Sequence, residues 1–273
     1  MRYISTRGAA PVLPFAEAMM TGLARDGGLY VPETIPQLGH DAIAALEGLP
    51  YEEVAFRVMQ PFVAESFSHD ELRAAIDRAH AGFRHAARAP LVQLSPGHFL
   101  LELFHGPTLA FKDFAMQLIG QLFQIALSRE DRRITIVGAT SGDTGSSAEY
   151  AMRGRHGIRV FMLTPAGRMT PFQQAQMFGL DDPNIFNIAL DGVFDDCQDV
   201  VKGVSADADF KSDNRIGAVN SINWARLMAQ IVYYVSCWIR VTESNEQKVS
   251  FSVPTGNFGD VFAGYVAKRM GLP

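Results

Sequence analysis

The sequence predicts an α/β fold built on a mostly parallel sheet and preceded by a helical segment. From about residue 97, short apolar runs alternate with stretches of helical spacing. The runs are rich in Ile, Val and Phe and are apolar on consecutive positions, as strands covered on both faces are. Several of them end in glycine- and hydroxyl-rich turns that lead into helices, the place where such sheets bind ligands.

The elements follow in order. Phe15 to Leu23 has helical spacing and ends at Asp26-Gly27-Gly28, a turn before the extended piece Leu29-Tyr30-Val31-Pro32. Tyr51 to Phe67 is a second helix, and Ser68 with Glu71 three positions on is a capping box for a third that runs to about Phe83. No chemistry gathers in this lead-in, which is assigned to packing; Arg7 and Asp26-Gly27-Gly28 are its residues that could reach a site from outside. Strands are predicted at Phe99 to Phe104, Ile134 to Val137, Val160 to Leu163, Ile185 to Ala189 and Val249 to Val253, with helices between them. No repeat at a fixed period is present. The organisation reads as a helical segment over 1–95, an α/β domain over 96–240 and the start of a second α/β domain over 241–273.

Composition narrows the function. With 48% hydrophobic and 19% charged residues the chain carries no signature of disorder. A formal net charge of −5 and the lack of any Lys/Arg-rich run argue against a nucleic-acid or acidic-membrane surface. No apolar run reaches the roughly 18 to 20 residues that span a bilayer, and the start lacks a signal core. Cys197 and Cys237, the only cysteines, read as reduced thiols on helices, so a cytoplasmic location is expected. Cys197 sits among aspartates without histidines at ligand spacing, and no metal site is assigned.

Three motifs carry the chemistry. Leu101 to Gln117 reads L-E-L-F-H-G-P-T-L-A-F-K-D-F-A-M-Q, a strand, a turn and a helix that Thr108 would cap. Lys112 is then in the first helical turn, where helix-terminal N–H groups and low polarity disfavour its charged form and suit it to act as a Schiff-base amine. His105 either approaches the site or packs in the turn. The run Ile134 to Val137 enters Gly138-Ala139-Thr140-Ser141-Gly142-Asp143-Thr144-Gly145, and the run Val249 to Val253 enters Pro254-Thr255-Gly256-Asn257-Phe258-Gly259-Asp260. Each is a backbone cradle for an anion at a helix N-terminus, and neither is a dinucleotide fingerprint or a P-loop. Two anion cradles and one amine match pyridoxal 5'-phosphate with an amino-acid substrate.

The same motifs resemble the threonine synthases, pyridoxal-phosphate enzymes of the tryptophan-synthase β-like fold (fold type II, with parallel sheets in three-layer domains). The resemblance runs from Asp26-Gly27-Gly28-Leu29-Tyr30-Val31-Pro32 through the Lys112 segment and Ala139 to Ser146, then Ser221-Ile222-Asn223-Trp224-Ala225-Arg226, to Val253 to Asp260. It implies that Lys112 is the Schiff-base and catalytic lysine with Phe111 beside it in the cofactor pocket. It implies further that Thr255, Gly256, Asn257, Phe258 and Gly259 cradle the cofactor phosphate, and that Ser141, Gly142, Asp143, Thr144 and Gly145 grip the substrate carboxylate. Related enzymes have asparagine where this chain has Asp143, so Asp143 is expected to turn from that carboxylate, toward the helix or a donor near the cofactor. The implied reaction converts O-phospho-L-homoserine and water to L-threonine and phosphate. The alternatives are a phospho-lyase with the same cofactor, or an inactive fragment that only binds ligand. Arg7, Arg168, Lys202, Lys211 and Arg226 are candidates for the substrate phosphate, with Arg168 placed first because it follows a strand. The family continues beyond residue 273, so a missing carboxyl-terminal part, or a partner chain, is expected to complete the site.

Overall fold

Alternation of Tyr3 and Ser5 toward the interior sets the first strand of a computed structural model that describes residues 1–129, 131–217 and 223–273. This β1 (Arg2–Ser5) pairs antiparallel with β2 (Leu13–Pro14) and, beyond α1 (Phe15–Thr21), with β3 (Tyr30–Pro32). The lead-in is mostly helical, as expected, and adds a small three-stranded sheet whose β3 is the expected extended piece. Asp26 explains the Asp-Gly-Gly turn: its carboxylate accepts from Ser5 Oγ (2.7 Å), Gly28 N–H (2.9 Å) and Ala9 N–H (2.9 Å). A Cβ at Gly28 would lie 2.1 Å from Ser5 Oγ, so that glycine is structural.

Next come α2 (His40–Ala44), α3 (Tyr51–Val63) and α4 (His69–His80), the last opened by the expected Ser68/Glu71 capping box. The predicted strand at Phe99 to Phe104 is in part β5 (His98–Leu101), which forms an antiparallel hairpin with β4 (Leu91–Ser95) and takes no part in the main sheet. Gly97, at a φ of 72°, makes the tight turn between them. The chain then runs through α5 (Asp113–Ser128), β6 (Ile134–Ala139), α6 (Asp143–Met152), β7 (Ile158–Pro165), α7 (Pro171–Phe178) and β8 (Ile185–Leu190). It continues with α8 (Phe194–Ala206), α9 (Ala208–Asp213), β9 (Ile216–Gly217), α10 (Trp224–Val241) and α11 (Gly259–Arg269).

The main sheet is parallel with the order β8-β7-β6-β9, so the α/β class holds. Val249 to Val253 forms no strand, because no described strand lies beside it to complete a ladder. Ser221 and Ile222 fall outside the described residues. A continuous apolar core runs from Tyr3 to Leu272. Its spine is α10, buried on every position from Trp224 to Trp238, as a helix apolar on all faces must be. Cys197 and Cys237 are free and buried, and no helix of the described residues is long and apolar enough to cross a membrane.

Candidate active site

Lys112 is positioned by the residue after it. Asp113, wholly buried at the start of α5, accepts from Thr108 N–H (2.8 Å), Thr108 Oγ1 (2.7 Å) and Ser147 Oγ of α6 (2.6 Å). Burial pushes its carboxyl upward and the Ser147 and Thr108 hydrogen bonds oppose that rise. The carboxylate thereby ties the turn before the lysine to the helix that follows the Ser141–Gly145 loop. A Cβ at Gly106 would meet the Asp113 carboxyl group at 2.4 to 2.8 Å, which explains the glycine of His105-Gly106-Pro107. Thr108 does not cap the helix as expected. It donates to Asp113, the helix begins five residues later, and Lys112 sits just before its first turn, with its carbonyl accepting from Met116 N–H at 2.9 Å. His105 stays in the turn, hydrogen-bonded to Glu102 Oε2 at 2.7 Å.

The lysine ammonium reaches the second motif. Lys112 Nζ donates to Asp143 Oδ2 at 3.3 Å and lies 4.9 Å from the centre of the Phe111 ring. Gln173 Nε2 of α7 donates to Asp143 Oδ1 at 2.7 Å, so Asp143 is held between the two groups. The loop itself is shaped by buried Thr140, whose Oγ1 accepts from Gly142 N–H (3.0 Å) and Gly145 N–H (2.9 Å). Gly142 adopts a φ of 140° with Gln173 packed against it, and a Cβ at Gly145 would strike Thr140 Cγ2 at 2.4 Å. Three peptide N–H groups of the loop, those of Ser141, Asp143 and Thr144, make no turn bond.

The third motif faces the lysine across a cleft of about 190 Å³. Phe111, Lys112, Arg226, Gln230 and the segment Pro254 to Asp260 line it. Phe258 takes the left-handed conformation (φ 58°), its N–H bonded to Thr255 Oγ1 at 3.1 Å, and nothing lies within 4 Å of a Cβ at Gly256. Asp260 fastens the segment to α10 by accepting from Tyr233 Oη (2.6 Å) and Tyr234 Oη (2.9 Å). Burial first, then the Asp260 charge, raises the Tyr233 phenol well above its usual range, so it remains a donor.

Arg226 is the cation the cleft takes. It is buried, and its guanidinium makes no ion pair among the described residues. Burial presses its pKa down to about 10, which leaves it charged at neutral pH. The other four candidates are engaged elsewhere. Arg7 donates to Asp26 O (3.0 Å), Arg168 to Gly192 O (3.0 Å), Lys202 pairs with Asp199 (2.9 Å) and Lys211 reaches Leu23 O (3.4 Å). Arg168, placed first because it follows a strand, is not among the residues that line the lysine's cleft. Asp113, Thr140, Gln173 and Gln230 were missed as site-forming residues. A signal existed for Gln230, since Arg226 and Gln230 are polar residues four apart inside an otherwise apolar helix.

Comparison with known proteins agrees with this geometry. The family model described as the threonine synthase N terminus matches residues 2–80. The chain is 62% identical over 280 residues to a threonine synthase of Corynebacterium glutamicum, with 100% of this chain and 58% of that protein covered. It superposes on the PLP-bound threonine synthase structure from Brucella melitensis with a TM-score of 0.94 at 50% identity, covering 100% of this chain and 59% of that one. On the Escherichia coli threonine synthase structure the TM-score is 0.88 at 34% identity, covering 100% of this chain and 62% of that one. The chain thus spans about three fifths of the length of the relatives it matches, and over that span it is similar to threonine synthases in both sequence and fold.

Proposed function

We propose that the polypeptide carrying this chain is a cytoplasmic, pyridoxal-phosphate-dependent threonine synthase that converts O-phospho-L-homoserine and water to L-threonine and phosphate. The observation that carries this reading is one cleft holding an amine, a backbone cradle and a buried guanidinium with no ion pair among the described residues, with the Asp143 loop bonded to the amine. The residues fit the cofactor. Gly256 leaves the cradle floor open and Thr255 to Gly259 present their backbone at the α11 N-terminus, where an anion is favoured. Phe111 and Lys112 stand on the opposite wall.

In this reading residues 1–95 pack, 96–240 hold the lysine and the substrate loop, and 241–273 hold the cradle. When bound, the cofactor supplies an electron sink for negative charge developing at the substrate's Cα and Cβ. Lys112 would hold it through its amine and, once released, move a proton from Cα and then serve at Cβ. Asp143 and Gln173 keep the free ammonium aimed at the cleft. The N–H groups of Ser141, Asp143 and Thr144 would bind the α-carboxylate, while Gly142 and Gly145 keep theirs on Thr140 and set the loop's shape. Because the cradle already neutralises one phosphate, Arg226 is left for the phosphate that departs from Cγ, where its charge stabilises the leaving group.

The test is product analysis with the full-length polypeptide, the cofactor and O-phospho-L-homoserine. Threonine and phosphate in equal amounts support the proposal. Phosphate with 2-oxobutanoate would assign the phospho-lyase reaction instead, and no turnover at all would contradict both.

A further inference from the structure

Gln230 is an anomaly in α10. It is 2% exposed, surrounded by an apolar helix, and its Oε1 has no hydrogen-bond donor. A buried amide oxygen without a donor lowers stability, and methionine would fill the same volume without that cost. Yet Gln230 lines the same cleft as Arg226, one helical turn away on the same face. Its two ends can exchange by rotation of the amide, so either a donor or an acceptor can be turned to a ligand.

We propose that Gln230, beside Arg226, reads the phosphate monoester of the substrate and is a specificity-determining residue; the inference rests on the function proposed above. Arg226 supplies charge. Gln230 supplies the neutral partner that a phosphate monoester can satisfy in both directions: its –NH2 donates to a phosphoryl oxygen, and its Oε1 accepts from the P–OH of the monoanion. A carboxylate at the same place can only accept and satisfies one of these, and a free alcohol lacks the charge that Arg226 requires. The amide with its unpartnered oxygen is then a group kept for the ligand at the expense of the free protein's stability.

The experiment is calorimetric titration of inorganic phosphate into the cofactor-loaded full-length polypeptide, in which the Thr255–Gly259 cradle is already filled, together with thermal melting. For Gln230→Met the expected result is a melting temperature unchanged or raised and a phosphate affinity lower by about ten- to a hundredfold, the worth of one charge-assisted hydrogen bond. Gln230→Glu, with a carboxylate beside Arg226, should lower affinity further still and tests the same point should the methionine variant not fold. Affinity within twofold of the parent in either folded variant would overturn the proposal, as would a melting temperature for Gln230→Met lower by more than about 4 °C, the mark of a satisfied core amide. Arg226→Gln separates the two levels. If it abolishes phosphate binding while Gln230→Met does not, only the Gln230 assignment fails; if it too leaves binding intact, the Arg226 reading fails with it.

Discussion

The turn that carries Lys112 and the segment that forms the cradle face each other across one cleft but are held very differently. The first is fixed from within: Asp113 is wholly buried, accepts three hydrogen bonds, and leaves no room for a side chain at Gly106. The second is held only at its ends, with Val253 packed on the apolar core before it. Asp260 anchors it to two tyrosines, while Phe258 is 65% exposed and Gly256 stands in open space. In the proposed function the amine, which must be placed to within fractions of an ångström, would stand on the rigid side, and the cradle, acting through backbone N–H groups on a phosphate, would tolerate looser support.

The contrast can be broken or sharpened by substitution. Asp113→Ala leaves two hydroxyls and a peptide N–H without their acceptor and should cost about 3 to 4 kcal/mol, read by urea unfolding. Gly106→Ala should cost about 2 to 3 kcal/mol by driving a methyl group into the Asp113 carboxyl. A gain is expected at Glu149, buried in α6 with neither carboxyl oxygen hydrogen-bonded. Burial pushes its pKa up to about 8, and neighbouring Asn187 has its amide committed to Met177 O at 3.2 Å. The folded state therefore holds a proton that the unfolded chain releases above its ordinary value of 4.5. Stability from this group is fully present below about pH 4.5 and falls as pH rises toward 8. Glu149→Gln should remove that slope and raise stability at pH 8 by about 1 to 3 kcal/mol, with little change at pH 4.5. On the cradle side, Asp260→Asn should cost about 1 kcal/mol while weakening cofactor binding in a dialysis assay. Gly256→Ala should change stability by less than about 0.5 kcal/mol. Equal losses at Gly106 and Gly256 would erase the difference between the two regions.

Much of this was legible in the chain because glycine, proline and hydroxyl residues mark turns by local rules. The Ser68 capping box, the strands β6, β7 and β8, and the three motifs around Lys112 all follow from spacing. What local rules could not supply was pairing. The short strands β1, β2, β3 and β9 are two to four residues long and exist only because a neighbour lies alongside. Phe99 to Phe104 looked like a sheet strand because its apolar pattern does not say which partner it will take, and the hairpin with Leu91–Ser95 decided it. Arg168 and Arg226 were ranked only by the strand before Arg168, and it is the path of α10 that turns Arg226 into the cleft. Asp113 was passed over because an aspartate beside a lysine at a helix start reads as a solvated pair, whereas the Gly106 turn folds over it and buries it.

The central claim is that Lys112, fixed by its own turn, is the amine that holds the cofactor. It is tested most directly by titrating pyridoxal phosphate into the full-length polypeptide and into Lys112→Ala, following near-visible absorbance before and after borohydride reduction, with thermal melting as the control for folding. The account predicts a saturable band that becomes covalently fixed on reduction in the parent, and in the variant neither the band nor fixation, at a melting temperature within about 4 °C of the parent. A reducible, protein-bound band that survives in Lys112→Ala would contradict it.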